Sequence, residues 1–278
     1  MNIMKVSTIL CIPGIKVLII IILIAVAVPF LLPHDPNRAN LEEAEQPPSL
    51  DHWCGTDKLG RDVFTRTIYG TRISLIVGLT AAVLAVSMGA GIGITAGFIG
   101  GKVDGLLMRI VDTINSPPEV ILLIVLATIF PRSILTIILI ISLTHWMSTS
   151  RLIRGETLSI KERPFVEAAI ALGADDRYIM KRHILPNLYS ILVISVTLMA
   201  AHAIMMEAML SFLGLGIPAH MASWGNMLNQ AQSDVMRGIW WTSIFPGIML
   251  VATVWSIYRL GEGLKEYLTP HRDFLSRI

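Results

Sequence analysis

Charge is scarce in this sequence: Asp, Glu, Lys and Arg make up 15% of its 278 residues, against 54% hydrophobic ones. A soluble domain of this length needs a polar skin, and a mean hydropathy of +0.67 excludes one. Cysteine is nearly missing. Cys11 and Cys54 have neither metal nor redox spacing, and the topology below puts them on opposite sides of a membrane, so no disulfide is expected. Catalytic signatures are missing as well. There is no complete phosphate loop, no Gly-x-Gly-x-x-Gly, no His-Glu-x-x-His and no Gly-x-Ser-x-Gly. Nothing therefore argues for phosphate handling or hydrolysis within this polypeptide, and an intramembrane enzyme lacks a catalytic set. No internal repeat is visible, which speaks against a secondary transporter built from inverted repeats.

What is present is apolar sequence in long blocks, and blocks of about 20 residues read as membrane spans. Six are expected, at about 15–32, 73–99, 110–130, 134–152, 188–212 and 239–260. The third and fourth form a hairpin around Pro131-Arg132-Ser133, each extended through more polar sequence. The first resembles a signal peptide near Ala25-Val26-Ala27 but runs on to Leu32, so an uncleaved span is expected. Between the first two spans lies a polar, proline-rich loop followed by Gly55-Thr56-Asp57-Lys58-Leu59-Gly60-Arg61-Asp62; its acidic spacing fits no calcium loop.

Lys and Arg orient the spans. With the N-terminus inside, the inner segments 1–16, 100–118, 149–187 and 259–278 hold 15 of 22 basic residues. Both termini are then cytoplasmic, and so is the charged stretch "PFVEAAIALGADDRYIMKRHILPN" at 164–187. Pro164 suits a first helical turn. Gly173 suits the left-handed residue that closes a helix, Asp175 a cap for a second helix, and Pro186 a stop before the fifth span. A rigid knob of this kind could receive a push from a soluble partner.

Within the spans, Gly89, Gly93, Gly97 and Gly101 repeat every four residues, a face for close helix packing or a moving interface. Arg109, Asp112, Ser116 and Glu119 share a face, read as structural ion pairing or as lining an inner vestibule. His202, Met205, Met206 and Met209 share another. Imidazole and thioethers suit late transition metals, but Met is also a core filler. His145 and Trp146 read as interfacial packing.

Glu167-Ala168-Ala169, then Gly173, then Ile184-Leu185-Pro186 resembles the EAA loop of ABC-importer permeases. The 55–66, 70–78, 151–169, 207–216 and 223–228 stretches resemble the C-type permease of the dipeptide, oligopeptide and nickel importers. The resemblance spans about residues 53–270. It implies an all-α membrane protein with the six-helix type I ABC-importer permease fold in the bacterial inner membrane. A first helix (1–33) and an extracytoplasmic segment (34–71) would precede a five-helix core (72–270) with its cytoplasmic loop (153–187), and a tail (271–278) would follow. It implies that Glu167, Ala168, Ala169, Gly173 and Pro186 form the coupling helix that docks on an ATPase subunit. The implied partners are a second, B-type permease, two ATP-binding subunits carrying ATP and Mg, an extracytoplasmic substrate-binding protein and the lipid bilayer, but no nucleic acid. No cofactor is expected in this chain. Glu119, His202 and Glu207 are candidates for the pathway or the permease interface. The cargo is short peptides or a nickel or other metal chelate, His202 being more like the nickel members.

Overall fold

The computed structural model describes residues 13–31 and 35–268. Cys11 and the tail at 271–278 lie outside them. The described residues are helical, with one isolated bridge between Thr56 and Asp62 and no strand. In chain order the helices are α1 (Pro13–Leu31), α2 (Val63–Ile99), α3 (Gly101–Ile114), α4 (Glu119–Ile129), α5 (Ile134–Lys161), α6 (Pro164–Ala171), α7 (Asp176–Phe212), α8 (Trp224–Val235) and α9 (Trp241–Leu268). Four of them, α2, α5, α7 and α9, are long and apolar enough to cross a membrane, and α3 with α4 together satisfy the same test. α1 is apolar beyond Lys16 and packs on α9.

The bundle's interior joins Val77 of α2, Leu123 of α4, Ile137 and Ile141 of α5 and Leu210 of α7. Its outside carries exposed Leu79, Ile129, Leu135 and Val251. Apolar side chains on both faces of the same helices fit a hydrocarbon solvent, not water.

The longest seam is between α2 and α5, and glycines make it possible. A Cβ on Gly89 would sit 2.5 Å from the Trp146 carbonyl oxygen, one on Gly93 2.5 Å from that of Ser150, and one on Gly97 2.9 Å from that of Arg154. The three successive gaps admit α5's backbone directly. Gly101 does not belong to this face. Gly100 and Gly101 both have positive φ (72° and 56°) and open space where a Cβ would be; they turn the chain from α2 into α3. Lys161 Nζ donates to the Phe98 carbonyl at 2.7 Å, satisfying the exposed end of α2.

The expected third span is not one helix. α3 and α4 are bent by 76°, and the residues between them include Pro117 and Pro118. Neither proline has an N–H, and each disfavours helix in the residue before it. The bend also splits the supposed polar face. Asp112 goes to Arg151 at 2.8 Å, while Glu119 belongs to a different group. Asp104 holds Arg154 through both oxygens at 2.5 Å, so α3 is pinned to α5 by two ion pairs.

The segment before α2 is irregular apart from a short turn at Leu41–Glu43. It is nonetheless tied down. Asp57 accepts from Arg61 Nε at 2.7 Å, and Arg61 and Arg66 both reach Gln230 of α8. Asp62 caps α2 through the Thr65 N–H, so α2 begins ten residues before the expected second span. The Gly-Thr-Asp motif is thus a clamp between the loop before α2 and α8.

Candidate functional site

The helix–turn–helix knob is built locally. α6 starts on Pro164 and stops after two turns. Gly173 has φ +84°, its N–H bonds the Ile170 carbonyl at 2.9 Å, and the Ala174 N–H bonds that of Ala169 at 3.0 Å. This is a Schellman closure, which requires a left-handed residue at Gly173. Asp175 then caps the next helix by accepting from the Tyr178 N–H at 3.0 Å.

Val166 is fully buried and anchors α6 on Ile153, Ile160, Ile179 and Ile184. Glu167, Ala168 and Leu172 face out, Leu172 at 88% exposure. An open groove of about 670 Å³ runs along Ala168, Ala169 and Gly173, with Phe165, Tyr178 and His183 beside it. This apolar surface lies at the end of the bundle, away from the lipid-facing sides.

Pro186 does not end a helix here. α7 runs unbroken from Asp176 to Phe212. A π-turn at Met180–Ile184 widens the backbone just ahead of the proline, and the Leu185 N–H bonds back to the Met180 carbonyl, five residues away. The wider turn accommodates a ring that would otherwise press on the carbonyl four residues earlier.

Deeper in the bundle, the structure regroups the membrane polar residues. Glu207 is not on a pathway or subunit surface. It is fully buried within this chain, bonded to Ser211 Oγ at 2.7 Å and Ser74 Oγ at 3.1 Å, with Ser223 as a further hydrogen-bonding neighbour. It therefore joins α2 and α7 to the loop that opens α8. Met206 and Met209 pack against the core, the filler role that the sequence left open to them, while Met205 is exposed. His202 meets two other groups. Its Nε2 lies 3.1 Å from Glu119 Oε1, and His145 Nε2 lies 2.6 Å from the same oxygen. His145, read from sequence as packing, is the member that sequence reasoning missed.

A bundle of apolar helices with a helix–turn–helix knob on one end defines a multi-pass membrane permease. Residues 89–273 match the family described as "Binding-protein-dependent transport system inner membrane component", and the chain belongs to that family. It is 40% identical to the dipeptide transport system permease protein DppC of Bacillus subtilis over 261 residues, 94% of this chain and 82% of that one. It is 38% identical to the oligopeptide transport system permease protein OppC of the same organism over 257 residues, 92% of this chain and 84% of that one. A putative peptide permease protein of Brucella suis is 44% identical over 246 residues, 88% and 82% of the two chains. In fold, it is similar to a chain of the MetNI methionine ABC transporter solved in inward facing conformations, with a TM-score of 0.59 and 16% identity, covering 75% of this chain and 95% of that one. The type I ABC-importer permease fold expected from sequence is therefore the fold observed.

Proposed function

We propose that this chain forms, with a second permease, the path by which an ATP-driven importer takes up short peptides. The α6–Gly173–α7 knob is the surface on which an ATPase subunit docks, with Glu167, Ala168 and Ala169 on the contact. ATP and Mg are bound by that partner. A substrate-binding protein meets the opposite end, where α8 and the Asp57 clamp lie. Both termini are then cytoplasmic. The observation that carries the reading is the exposed groove along Ala168 and Ala169, set on a rigid turn at a bundle end rich in Lys and Arg. Peptides are preferred to nickel because DppC, OppC and the Brucella permease all carry peptide names.

The test is Gly173→Val in the reconstituted importer. A β-branched side chain at φ +84° costs about 1–2 kcal/mol and moves the knob. Dipeptide uptake and ATPase co-purification are expected to fall severalfold while the permease still inserts normally. Unimpaired uptake and ATPase binding would refute docking here, and uptake of nickel without dipeptide would refute the substrate.

A further inference from the structure

His145, His202 and Glu119 come from three helices, α5, α7 and α4, and meet at one depth. His145 lies 11 residues inside the start of α5, and His202 and Glu119 lie 10 residues inside the ends of α7 and α4. At 1.5 Å per residue all three sit about 15–17 Å below the end of the bundle formed by the α4–α5 hairpin, roughly half the depth of a hydrocarbon core. Ionisable groups at this depth face protein or water and mark function more often than packing.

The imidazole of His145 is set for a particular task. Its Nδ1 lies 2.8 Å from the Ile141 carbonyl oxygen. A carbonyl can only accept, so Nδ1 carries a proton, with Thr144 Oγ1 also 2.8 Å away, and the ring turns Nε2 to the other side. That nitrogen is buried. It lies 2.6 Å from Glu119 Oε1, with His202 Nε2 3.1 Å from the same oxygen. A nitrogen and a carboxylate oxygen this close need a proton or a metal ion between them. A backbone carbonyl behind one nitrogen and an open lone pair at the other is how metal-ligating histidines are held.

We propose that Glu119, His145 and His202 bind a first-row divalent transition metal such as Zn²⁺ in the middle of the membrane. The donor atoms all lie within 4.8 Å of one another. Metal–ligand bonds of about 2.0–2.2 Å place tetrahedral donors about 3.3 Å apart, so side-chain adjustments of an ångström or so complete the set. Two imidazoles and one carboxylate suit Zn²⁺, Co²⁺ or Ni²⁺ better than Mg²⁺ or Ca²⁺. Glu119 and His202 are partly exposed on the open side, which leaves the remaining coordination position to water or a donor from outside the chain. The ion would staple α4, α5 and α7 together at mid-depth. The peptide-permease reading does not require it.

The experiment uses the full chain, free of any affinity tag, in lipid nanodiscs, titrated with Co²⁺. The wild type is expected to bind about one Co²⁺ with the visible absorption of a four- or five-coordinate site, and Zn²⁺ should displace it and raise the melting temperature. His145→Ala and His202→Gln should each weaken binding at least about tenfold, the factor that even a lost outer partner costs a metal site. Met205→Leu, on the same helix, should leave it unchanged. X-ray absorption on the wild type needs no variant and should show imidazole around the metal. No saturable Co²⁺ binding, water-only coordination, or equal affinity in folded His145→Ala protein would each overturn the site and leave a His–carboxylate ion pair.

Discussion

Replacing Gly93 by alanine adds one methyl group to the α2–α5 seam. The new carbon would lie 2.5 Å from the Ser150 carbonyl oxygen, 3.0 Å from the Arg154 nitrogen and 3.1 Å from Ile153 Cβ. Two of the three neighbours are backbone and cannot rotate away. The helices must part by about 1 Å or slide, a cost of about 1–3 kcal/mol for overpacking. Gly91, two residues along the same helix, has nothing within 4 Å of its Cβ position. Alanine there should recover about 0.5–1 kcal/mol of helix stability. The two variants add the same methyl to the same helix, share that gain, and should differ by the overpacking cost of about 1–3 kcal/mol, Gly93→Ala being the less stable. Unfolding of the full chain by sodium dodecyl sulfate in mixed micelles, followed by circular dichroism, measures the difference. If Gly93→Ala proves as stable as Gly91→Ala, direct backbone contact across this seam is refuted.

Glu207→Ala should destabilise the chain by about 2–5 kcal/mol, since it opens a cavity and strands the buried hydroxyls of Ser74 and Ser211; Glu207→Gln should cost clearly less, and the same unfolding assay checks the order. Burial, with the Asp62 carboxylate nearby, pushes the Cys54 thiol up to about 11, so alkylation of Cys54 in a Cys11→Ser background should stay slow through pH 9 and accelerate toward pH 11. Because the unfolded thiol ionises first, the contribution of Cys54 to stability is intact below about pH 9 and declines as pH rises toward 11; labelling with an ordinary thiol profile would contradict its burial.

Features closed within a few residues were legible in the sequence. Gly173 needs positive φ wherever a helix closes by a Schellman turn, and Gly89, Gly93 and Gly97 lie on one face by period alone. Gly101 fits the same period but sits after a chain reversal at Gly100, which periodicity does not register. Pro186 reads as a stop because an ordinary α-helix rejects it; a π-turn changes the ring's neighbourhood, and no local residue pattern announces one. The Glu119–His145–His202 group was half visible. Glu119 and His202 stood out as polar residues in apolar spans, but 83 positions separate them, and His145 joins them only through the packing of α4, α5 and α7. The methionine face shows the same limit: a shared helix face shows which residues travel together, not what the neighbouring helix places opposite them.

The 37-residue α7 belongs to two places at once. It starts at the Asp175 cap beside the groove of the knob, and 26 residues later it carries His202, about 39 Å away along one axis. Between them there is no loop to take up slack. Any throw applied at the knob end therefore arrives at mid-bundle as displacement of a lever, reduced by whatever the π-turn yields. Stiffening that turn, or loosening it, sets the gearing between the two ends without altering a single residue at either.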